Sequence, residues 1–198
     1  MKKLLLIAWL VILATTVVVL FWYNQYRYSL PTPVPEGYVS VKRGTTIHLV
    51  KQLNFHNNKP VFLHFFNPDC PCSRFNMAHF KSLVNQYGNK VNFVMVLMTN
   101  KPYAAAEIQQ RFDINIPVLP RGHIAEMCGV YSTPQAVIIN AKQQLYYRGN
   151  YNRSRYCEDK KTEYARMALQ DMLQQQPLKN IDLLAWQAYG CQLPDCTR

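Results

Sequence analysis

The segment Cys70-Pro71-Cys72-Ser73 is the feature that most limits what this chain can fold into, because it closely follows an apolar run. The run, Val61–Phe66, has the length and composition of a buried strand, and a Pro/Asp turn separates it from Cys70. This order predicts a helix that begins at Cys70. A thiol at a helix N-terminus lies beside unpaired backbone N–H groups, at the positive end of the helix dipole. Both favour the thiolate that attacks disulfides. Two structural or metal-binding cysteines in a tight turn would give the same pattern.

The beginning of the chain has the pattern of a membrane anchor. Lys2 and Lys3 precede a long apolar run, Leu4–Tyr23, which is about the length that crosses a bilayer. The two lysines predict that the N-terminus is cytoplasmic and the remainder lies outside. A cleaved signal peptide is the alternative, but its apolar run would end in small residues rather than in Phe21-Trp22-Tyr23. We predict a single-pass protein of the cell inner membrane whose domain faces the periplasm.

Composition divides the chain into four segments and limits its partners. The predicted segments are a transmembrane anchor (1–25), a proline-rich spacer (26–38), a folded domain (39–176) and a C-terminal extension (177–198). The formal net charge is +11, but the positive residues are scattered, which is typical of a solvated surface. A domain beyond the membrane is not expected to bind nucleic acid. Anionic headgroups or acidic partner proteins suit its charge better.

The apolar pattern predicts alternating strands and helices in the domain. A first helix is expected soon after Gly44, with Ile47, Leu49 and Leu53 on its apolar face. The later elements follow the order β-α-β-α-β-β-α, with a short helical stretch at His123–Cys128 before the last two strands. In chain order they are strand 61–66, helix 73–87, strand 91–98, helix 103–112, strand 116–119, a hairpin with strands 135–139 and 144–148, and helix 159–175.

This order resembles the thioredoxin fold, and two segments make the resemblance specific. Phe65–Ser73 is similar to the F-W-A-x-W-C-x-x-C stretch of membrane-anchored thioredoxins that serve cytochrome c maturation. Ile116–Leu119 and Gly129–Asn140 resemble the P-V-L and G-V-x-x-T-P run that carries the family's cis-proline. The resemblance covers about 39–175. It implies a three-layer α/β fold with a central mixed sheet, an N-terminal transmembrane helix and a short C-terminal helical extension.

The same resemblance implies a function and its residues. It predicts an extracytoplasmic thiol-disulfide oxidoreductase or isomerase that acts on protein disulfides through Cys70. Thr133-Pro134 is then the cis peptide that faces the reactive sulfur and pairs with the substrate chain. The partners are protein thiol or disulfide substrates and a redox partner protein that exchanges electrons with the site. No small-molecule cofactor is expected.

The chain departs from the family pattern at the second cysteine. Ser73 stands where the resolving cysteine usually lies, and Cys72 stands one position earlier. The site is therefore either a Cys-x-Cys redox pair or a single reactive thiol with an extra cysteine that packs inward. A Cys70–Cys72 disulfide would close a small strained ring, which is easily reduced. Such a ring suits an oxidant or isomerase better than a strong reductant.

Three polar residues have two interpretations each. His64 occupies the position where the family often has a buried acid, so it either carries protons near neutral pH or is a hydrogen-bonded core residue. Asp69 either faces the sulfur of Cys70 or serves as a turn residue. His123 is a candidate ligand only if the protein carries metal, and is otherwise exposed.

The four remaining cysteines are placed through the thioredoxin topology. That topology brings Cys128 and Cys157 to the pole where Cys70 lies, so either could resolve a disulfide on Cys70, or the two could bridge each other. We predict the bridge, together with a local Cys191–Cys196 disulfide, because disulfides form readily outside the cytoplasm. Sequence alone does not select among the possible pairings.

Other functions remain compatible with the sequence. A copper carrier could use Cys70, Cys72 and a histidine, since soft thiolates suit Cu(I), although the usual three-residue spacing between cysteines is absent. A thiol peroxidase would need a T-x-x-C motif, which the segment before Cys70 does not contain. A non-catalytic assembly factor with the same groove is the third alternative.

Overall fold

The computed structural model describes residues 2–49, 53, 55, 57–154, 157–178 and 181–192. The chain divides into two compact units, Met1–Pro31 and Thr32–Arg198. The helices are α1 (Lys2–Ser29), α2 (Pro71–Tyr87), α3 (Ala105–Phe112), α4 (Ile124–Cys128) and α5 (Tyr164–Leu173), with 3-10 turns at Lys160–Thr162 and Leu183–Ala185. The strands are β1 (Val61–Phe66), β2 (Asn92–Leu97), β3 (Val118–Leu119), β4 (Ser132–Thr133), β5 (Gln135–Ile139), β6 (Leu145–Gly149) and β7 (Cys191–Gln192).

The first unit consists mainly of α1. Its segment Lys2–Asn24 has a mean hydropathy of 2.9 and is long and apolar enough to cross a membrane, a property that signal sequences share. The hydroxyls of Thr15 and Thr16 donate to the carbonyls of Val11 and Ile12, at 2.8 Å each. The polar groups of these side chains are thus satisfied within the helix, as an apolar surrounding requires.

The second unit is built on a mixed five-stranded sheet with the strand order β3-β2-β1-β5-β6. The central strand β1 is parallel to β2 and antiparallel to β5, while β6 forms a hairpin with β5. Both neighbours of β1 are apolar strands apart from their first residues, Asn92 and Gln135, and β1 itself is buried from Phe62 to Phe66. The sequence prediction of an α/β fold with a central mixed sheet is confirmed.

The side chains of β1 alternate between two separate cores. Phe62 and Phe66 enter a core formed with α2, α3 and α5. Leu63 and Phe65 enter a second core on the opposite face, formed with α4 and the segment that contains Ile47. This alternation follows from the two-residue period of a strand, and it makes the structure a three-layer sandwich.

The predicted Cys128–Cys157 disulfide is wrong. Both residues are free thiols. Cys128 is fully buried in the core on the α4 face, whereas Cys157 packs against the core on the opposite face. The sheet therefore separates them. The segments that contain Cys128 and Cys157 both lie at the predicted pole of the sheet. However, α4 packs on one face of the sheet and the loop after the edge strand β6 packs on the other face. The order of helices and strands does not reveal this difference.

The helix predicted after Gly44 is wrong, and the predicted Cys191–Cys196 disulfide lies partly outside the described residues. The segment after Gly44 is not a helix where it is described: Thr46 forms a β-bridge with Gln144, and the Ile47 N–H donates to the Gln143 carbonyl at 2.7 Å. The hairpin β5–β6 offers backbone groups at its tip, and an extended chain satisfies them better than a helix. For the Cys191–Cys196 disulfide, Cys196 lies outside the described residues.

The C-terminal extension returns to the domain and adds a small second sheet. In it, β7 pairs antiparallel with β4, with Thr133 opposite Cys191 and Ser132 opposite Gln192. The 3-10 turn Leu183–Ala185 packs on the end of β6, where the Asn150 side chain donates to the carbonyls of Leu184 and Gln187 at 2.7 Å each. The extension is therefore part of the folded unit.

Candidate functional site

The carboxyl end of β1 and the amino end of β5 meet at one pole of the sheet. Phe65 pairs with Gln135, so the residues just after β1 lie across from the residues just before β5. Cys70 follows β1 by one turn and is the N-cap of α2, with φ −81° and ψ 123°. Thr133-Pro134 precedes β5, and its peptide bond is cis. The sheet register therefore brings two of the predicted site segments, one containing Cys70 and the other Pro134, to the same end of the fold.

Hydrogen bonds fix the turn that carries Cys70. The Cys70 N–H donates to the Asn67 carbonyl at 3.1 Å, and the Ser73 hydroxyl accepts from the Asn67 N–H at 3.2 Å. Pro71 begins α2, where a missing N–H leaves no helical bond unmade. Cys70 and Ser73 are fully buried, and Cys72 is 8% exposed. Ser73 therefore holds the turn in place, at the position where the resemblance expects a resolving thiol.

The Asp69 carboxylate is held by groups from the loop after β2 and from α3. It accepts from the Tyr103 hydroxyl at 2.7 and 2.8 Å and pairs with Lys101 at 2.9 Å and with Arg111 at 3.7 Å. The hydrogen bond from Lys101 is the main reason that the pKa of Asp69 is lowered from its usual value. Asp69 is thus an anionic turn residue that ties β1 to α3.

A chain of buried polar groups lies beneath α2. The Asn76 amide donates to the Cys72 carbonyl at 2.9 Å, and its oxygen accepts from the Cys157 thiol at 2.6 Å. Burial raises the pKa of the Tyr151 hydroxyl well above its usual value, and the nearby Cys157 thiol adds to this. The sequence analysis missed Asn76 and Tyr151, although an asparagine within the helix that follows the cysteines was an available signal.

His64 lies at the other end of this chain. Its Nδ1 is 2.6 Å from the Tyr151 hydroxyl oxygen, and its ring stacks on Phe80 with a centroid separation of 4.3 Å. Complete burial, with a smaller contribution from His79, lowers the pKa of His64 to about 3. The ring is therefore neutral at physiological pH. Its Nε2 has no hydrogen-bond partner among the described residues.

The thiols of Cys128 and Cys157 are poor nucleophiles at neutral pH. Burial raises the pKa of each to about 12; the nearby Arg148 partly opposes this at Cys128, and Glu163 adds to it at Cys157. A thiol with such a pKa is protonated at neutral pH, and the thiolate is the attacking form. Neither residue has the electrostatic surroundings of a reactive cysteine.

Buried polar side chains also lie close to the cis peptide in the chain. The hydroxyls of Ser132 and Thr133 and the carbonyl oxygen of the Gln135 side chain are buried and lack a hydrogen-bond partner among the described residues. Buried polar groups are usually satisfied, so unpartnered ones mark a place where another polar group can bind. All three residues lie within two positions of Pro134 in the chain.

No metal-binding cluster appears in the described part of the chain: no three of its His, Cys, Asp and Glu side chains lie close enough to hold an ion. The sequence candidate His123 is exposed at the start of α4 and its Nδ1 lies 3.0 Å from Glu126.

Comparison with known proteins agrees with this architecture. A hypothetical protein of Sinorhizobium meliloti 1021 is similar, with 15% identity, a TM-score of 0.63, and 78% of this chain and 95% of that chain covered. An uncharacterized conserved protein of Geobacillus kaustophilus is similar with 17% identity and a TM-score of 0.57. The match covers 75% of this chain and 92% of that chain. A thiol:disulfide interchange protein of the thioredoxin family from Chlorobium tepidum TLS has 16% identity and a TM-score of 0.48. The match covers 73% of this chain and 97% of that chain. No curated protein matches the chain.

The sheet order, the helix that begins after Cys70 and the cis peptide before β5 together define a thioredoxin-like fold. Within that class, residues 40–194 match a single family model. The chain belongs to the family described as Domain of unknown function (DUF6436).

Burial of His64 predicts a specific acid sensitivity. Between pH 6.5 and about 3, the unfolded chain protonates this histidine and the folded chain does not. The neutral His64 therefore makes its full contribution to the free energy of unfolding above pH 6.5. As the pH falls below 6.5, the free energy of unfolding decreases by up to about 1.4 kcal/mol per pH unit. We expect His64→Phe, which keeps an aromatic ring against Phe80, to show a shallower loss of unfolding free energy between pH 6.5 and 4.

The measurement is urea unfolding at a series of pH values. His64→Phe also removes the bond to Tyr151, but that cost lowers stability by a similar amount at every pH, so the slope is the informative quantity. His123→Gln, at an exposed site, is the matched control and should keep the slope of the parent protein. A His64→Phe slope equal to the parent's would show that His64 is not the titrating group.

Proposed function

We propose that this protein is a membrane-anchored thiol-disulfide oxidoreductase or isomerase that acts on protein disulfides outside the cytoplasm. The observation that carries the proposal is the position of Cys70, at the N-terminus of α2 and at the same pole as Thr133-Pro134. A helix N-terminus stabilises a thiolate, and an extended backbone beside it can pair with a substrate chain. In this proposal Cys70, Cys72 and Pro134 form the catalytic site.

The proposed reaction is a pair of thiol exchanges. The Cys70 thiolate attacks one sulfur of a substrate disulfide, a Cys70–substrate bond forms, and the first substrate thiolate leaves. The Cys72 thiolate then attacks the Cys70 sulfur, which gives a Cys70–Cys72 disulfide and releases the second substrate thiolate. Two electrons pass from the cysteine pair to the substrate, and a redox partner protein reduces the pair again. In isomerisation, a substrate thiolate attacks in place of Cys72.

The role of His64 in this proposal is positional. Its neutral ring hydrogen-bonds Tyr151, which lies near the Cys157 thiol. That thiol donates to Asn76, and the Asn76 amide donates to the Cys72 carbonyl. A fixed Cys72 carbonyl orients the first turn of α2, and thus the two thiols. No observation in the described residues favours the copper carrier over thiol exchange.

The roles of the two cysteines are separable by counting released thiols. When the reduced protein meets excess disulfide-linked peptide, Cys72→Ser should release the first peptide thiol at the parent rate, because Cys70 still attacks. It should release the second more slowly, because the resolving thiolate is absent. Equal release of both thiols in the parent and in Cys72→Ser would exclude Cys72 as the principal resolving residue.

The membrane topology has its own test. The apolar segment of α1 and the lysines that precede it support an uncleaved anchor with the domain in the periplasm. Alkaline phosphatase fused after Arg198 should be active, since it folds only where disulfides form, and the mature protein should keep Lys2 and Lys3. An inactive fusion, or a mature chain that begins after α1, would contradict the proposed topology.

A further inference from the structure

The C-terminal strand β7 lies on the backbone edge next to the cis peptide. Its two residues pair antiparallel with Ser132 and Thr133, which immediately precede Pro134. A strand edge pairs with one chain at a time, because each of its outward backbone groups has room for one partner. In the proposed function a substrate chain pairs with the backbone at the same place. A substrate chain and β7 therefore exclude each other at this edge.

The proposed site is closed while β7 is in place. Ser132 and Thr133 are fully buried, and so is Cys70. The register of the sheet brings the segments that contain Cys70 and Thr133 to the same pole. A substrate disulfide must reach the Cys70 sulfur before any thiol exchange can begin. The proposed reaction therefore requires that an element at this pole moves away first.

The strand β7 can leave while the rest of the C-terminal extension stays in place. The preceding segment has its own anchor, since Asn150 donates to the carbonyls of Leu184 and Gln187, and Ala188 is buried. In contrast, β7 belongs to a two-stranded sheet apart from the central sheet. A short two-stranded pair is marginally stable by itself, and such elements open locally at a lower cost than core strands.

The junction between this anchor and β7 is held by a few identifiable contacts. The Thr32 hydroxyl donates to the Gly190 carbonyl at 2.8 Å, and the Thr32 N–H donates to the Ala188 carbonyl at 2.7 Å. Gly190 lies so close to β4 that an added Cβ would overlap the Thr133 carbonyl oxygen. The residue at position 190 must therefore lack a side chain for β7 to remain paired.

We propose that β7 is a displaceable strap: it covers the Ser132–Thr133 edge when no substrate is bound and leaves when a substrate chain pairs there. This inference rests on the proposed function. Detachment of β7 exposes Cys70, and the thiol exchanges then follow. In the closed arrangement the hydroxyls of Ser132 and Thr133 have no hydrogen-bond partner among the described residues, which lowers the stability of that arrangement. A substrate strand with polar groups that bond these hydroxyls competes well with β7.

The test measures the rate at which iodoacetamide labels Cys70 in the reduced, full-length protein in detergent, by peptide mass spectrometry. Gly190→Ala should detach β7 and increase this rate by about tenfold or more, because the backbone bonds between β4 and β7 are lost. Cys128 in the same sample reports global unfolding, since it is fully buried in the other core, and should keep the parent rate. Gly44→Ala is the matched control. Gly44 has a φ of 84° and lies beside Leu145 at the opposite pole, so its substitution should leave Cys70 labelling unchanged.

A second variant loosens the strap without adding atoms near Thr133. Thr32→Val removes the hydroxyl bond to the Gly190 carbonyl and should increase Cys70 labelling by about threefold. Gly190→Ala and Thr32→Val should also lower the KM for insulin reduction, because a larger fraction of the molecules has a free edge.

Parent-like labelling of Cys70 in both variants would overturn the inference. Faster labelling with an unchanged KM would overturn it as well, since β7 would then cover Cys70 without competing with the substrate. Failure of the parent and of both variants to reduce insulin would instead refute the proposed function, and the labelling rates would still decide whether β7 closes the site.

Discussion

The Cys70→Ser variant is expected to lose its disulfide reductase activity down to the uncatalysed rate of exchange. A serine hydroxyl has nearly the shape of the thiol and keeps the N-terminus of α2 intact, but it cannot form a disulfide with the substrate. Since every proposed step passes through the Cys70 sulfur, no other residue can substitute for it. The measurement is the reduction of insulin by the full-length protein in detergent, with a dithiol as the electron source.

Two observations make this result interpretable. Circular dichroism of Cys70→Ser should match the parent, which separates a loss of chemistry from a loss of fold. Cys128→Ala removes another fully buried cysteine on the far face of the sheet and should keep the parent activity. Parent-like activity of Cys70→Ser would exclude the thiol-exchange function and would favour the assembly-factor alternative.

The Phe80→Ala variant is expected to lose about 3–5 kcal/mol of stability, as large-to-small substitutions of buried aromatics do. Phe80 is fully buried on the inner face of α2. Its ring lies 6.0 Å from Phe62, 5.9 Å from Phe93 and 4.3 Å from His64, measured between centroids. The substitution leaves a cavity beneath the proposed site and removes the surface on which His64 stacks. For a domain of this size the unfolding temperature should fall by roughly 10 °C.

Phe75→Ala on the same helix is the matched control. Phe75 is 42% exposed, and its truncation removes the same atoms without opening a buried cavity. Thermal unfolding followed by near-ultraviolet circular dichroism should show a large shift for Phe80→Ala and a small one for Phe75→Ala. Equal shifts would mean that the inner face of α2 does not provide the main contact between this helix and the sheet.

Much of the fold was predictable because it depends on local patterns. The apolar run at Val61–Phe66 and the hairpin signal near Asn140–Gln143 have periods and turn residues that indicate strands without knowledge of the rest. The position of Cys70 at a helix start was predictable for the same reason. The helix predicted after Gly44 was wrong. The apolar spacing of that segment fits a helix, but its hydrogen-bond partners lie on a hairpin distant in the sequence.

The surroundings of the cysteines were less predictable. Cys128 and Cys157 were expected to meet, and the structure separates them by the sheet. The bond between Cys157 and Asn76 and the pairing of Thr133 with Cys191 join residues far apart in the sequence. Such contacts depend on which side of the sheet a loop crosses, and no local pattern encodes that choice.

The sequence by itself determined the apolar N-terminal helix, the α/β order and the placement of Cys70 after the central strand. These features follow from residue type and spacing within a few turns of chain. The tertiary structure alone decided that His64 is neutral, because its low pKa results from complete burial against Phe80 and Tyr151. It also decided that the C-terminal strand lies on the cis-proline edge. A strand of two residues has no period to detect, and its position is fixed by backbone hydrogen bonds that exist only once the domain has folded.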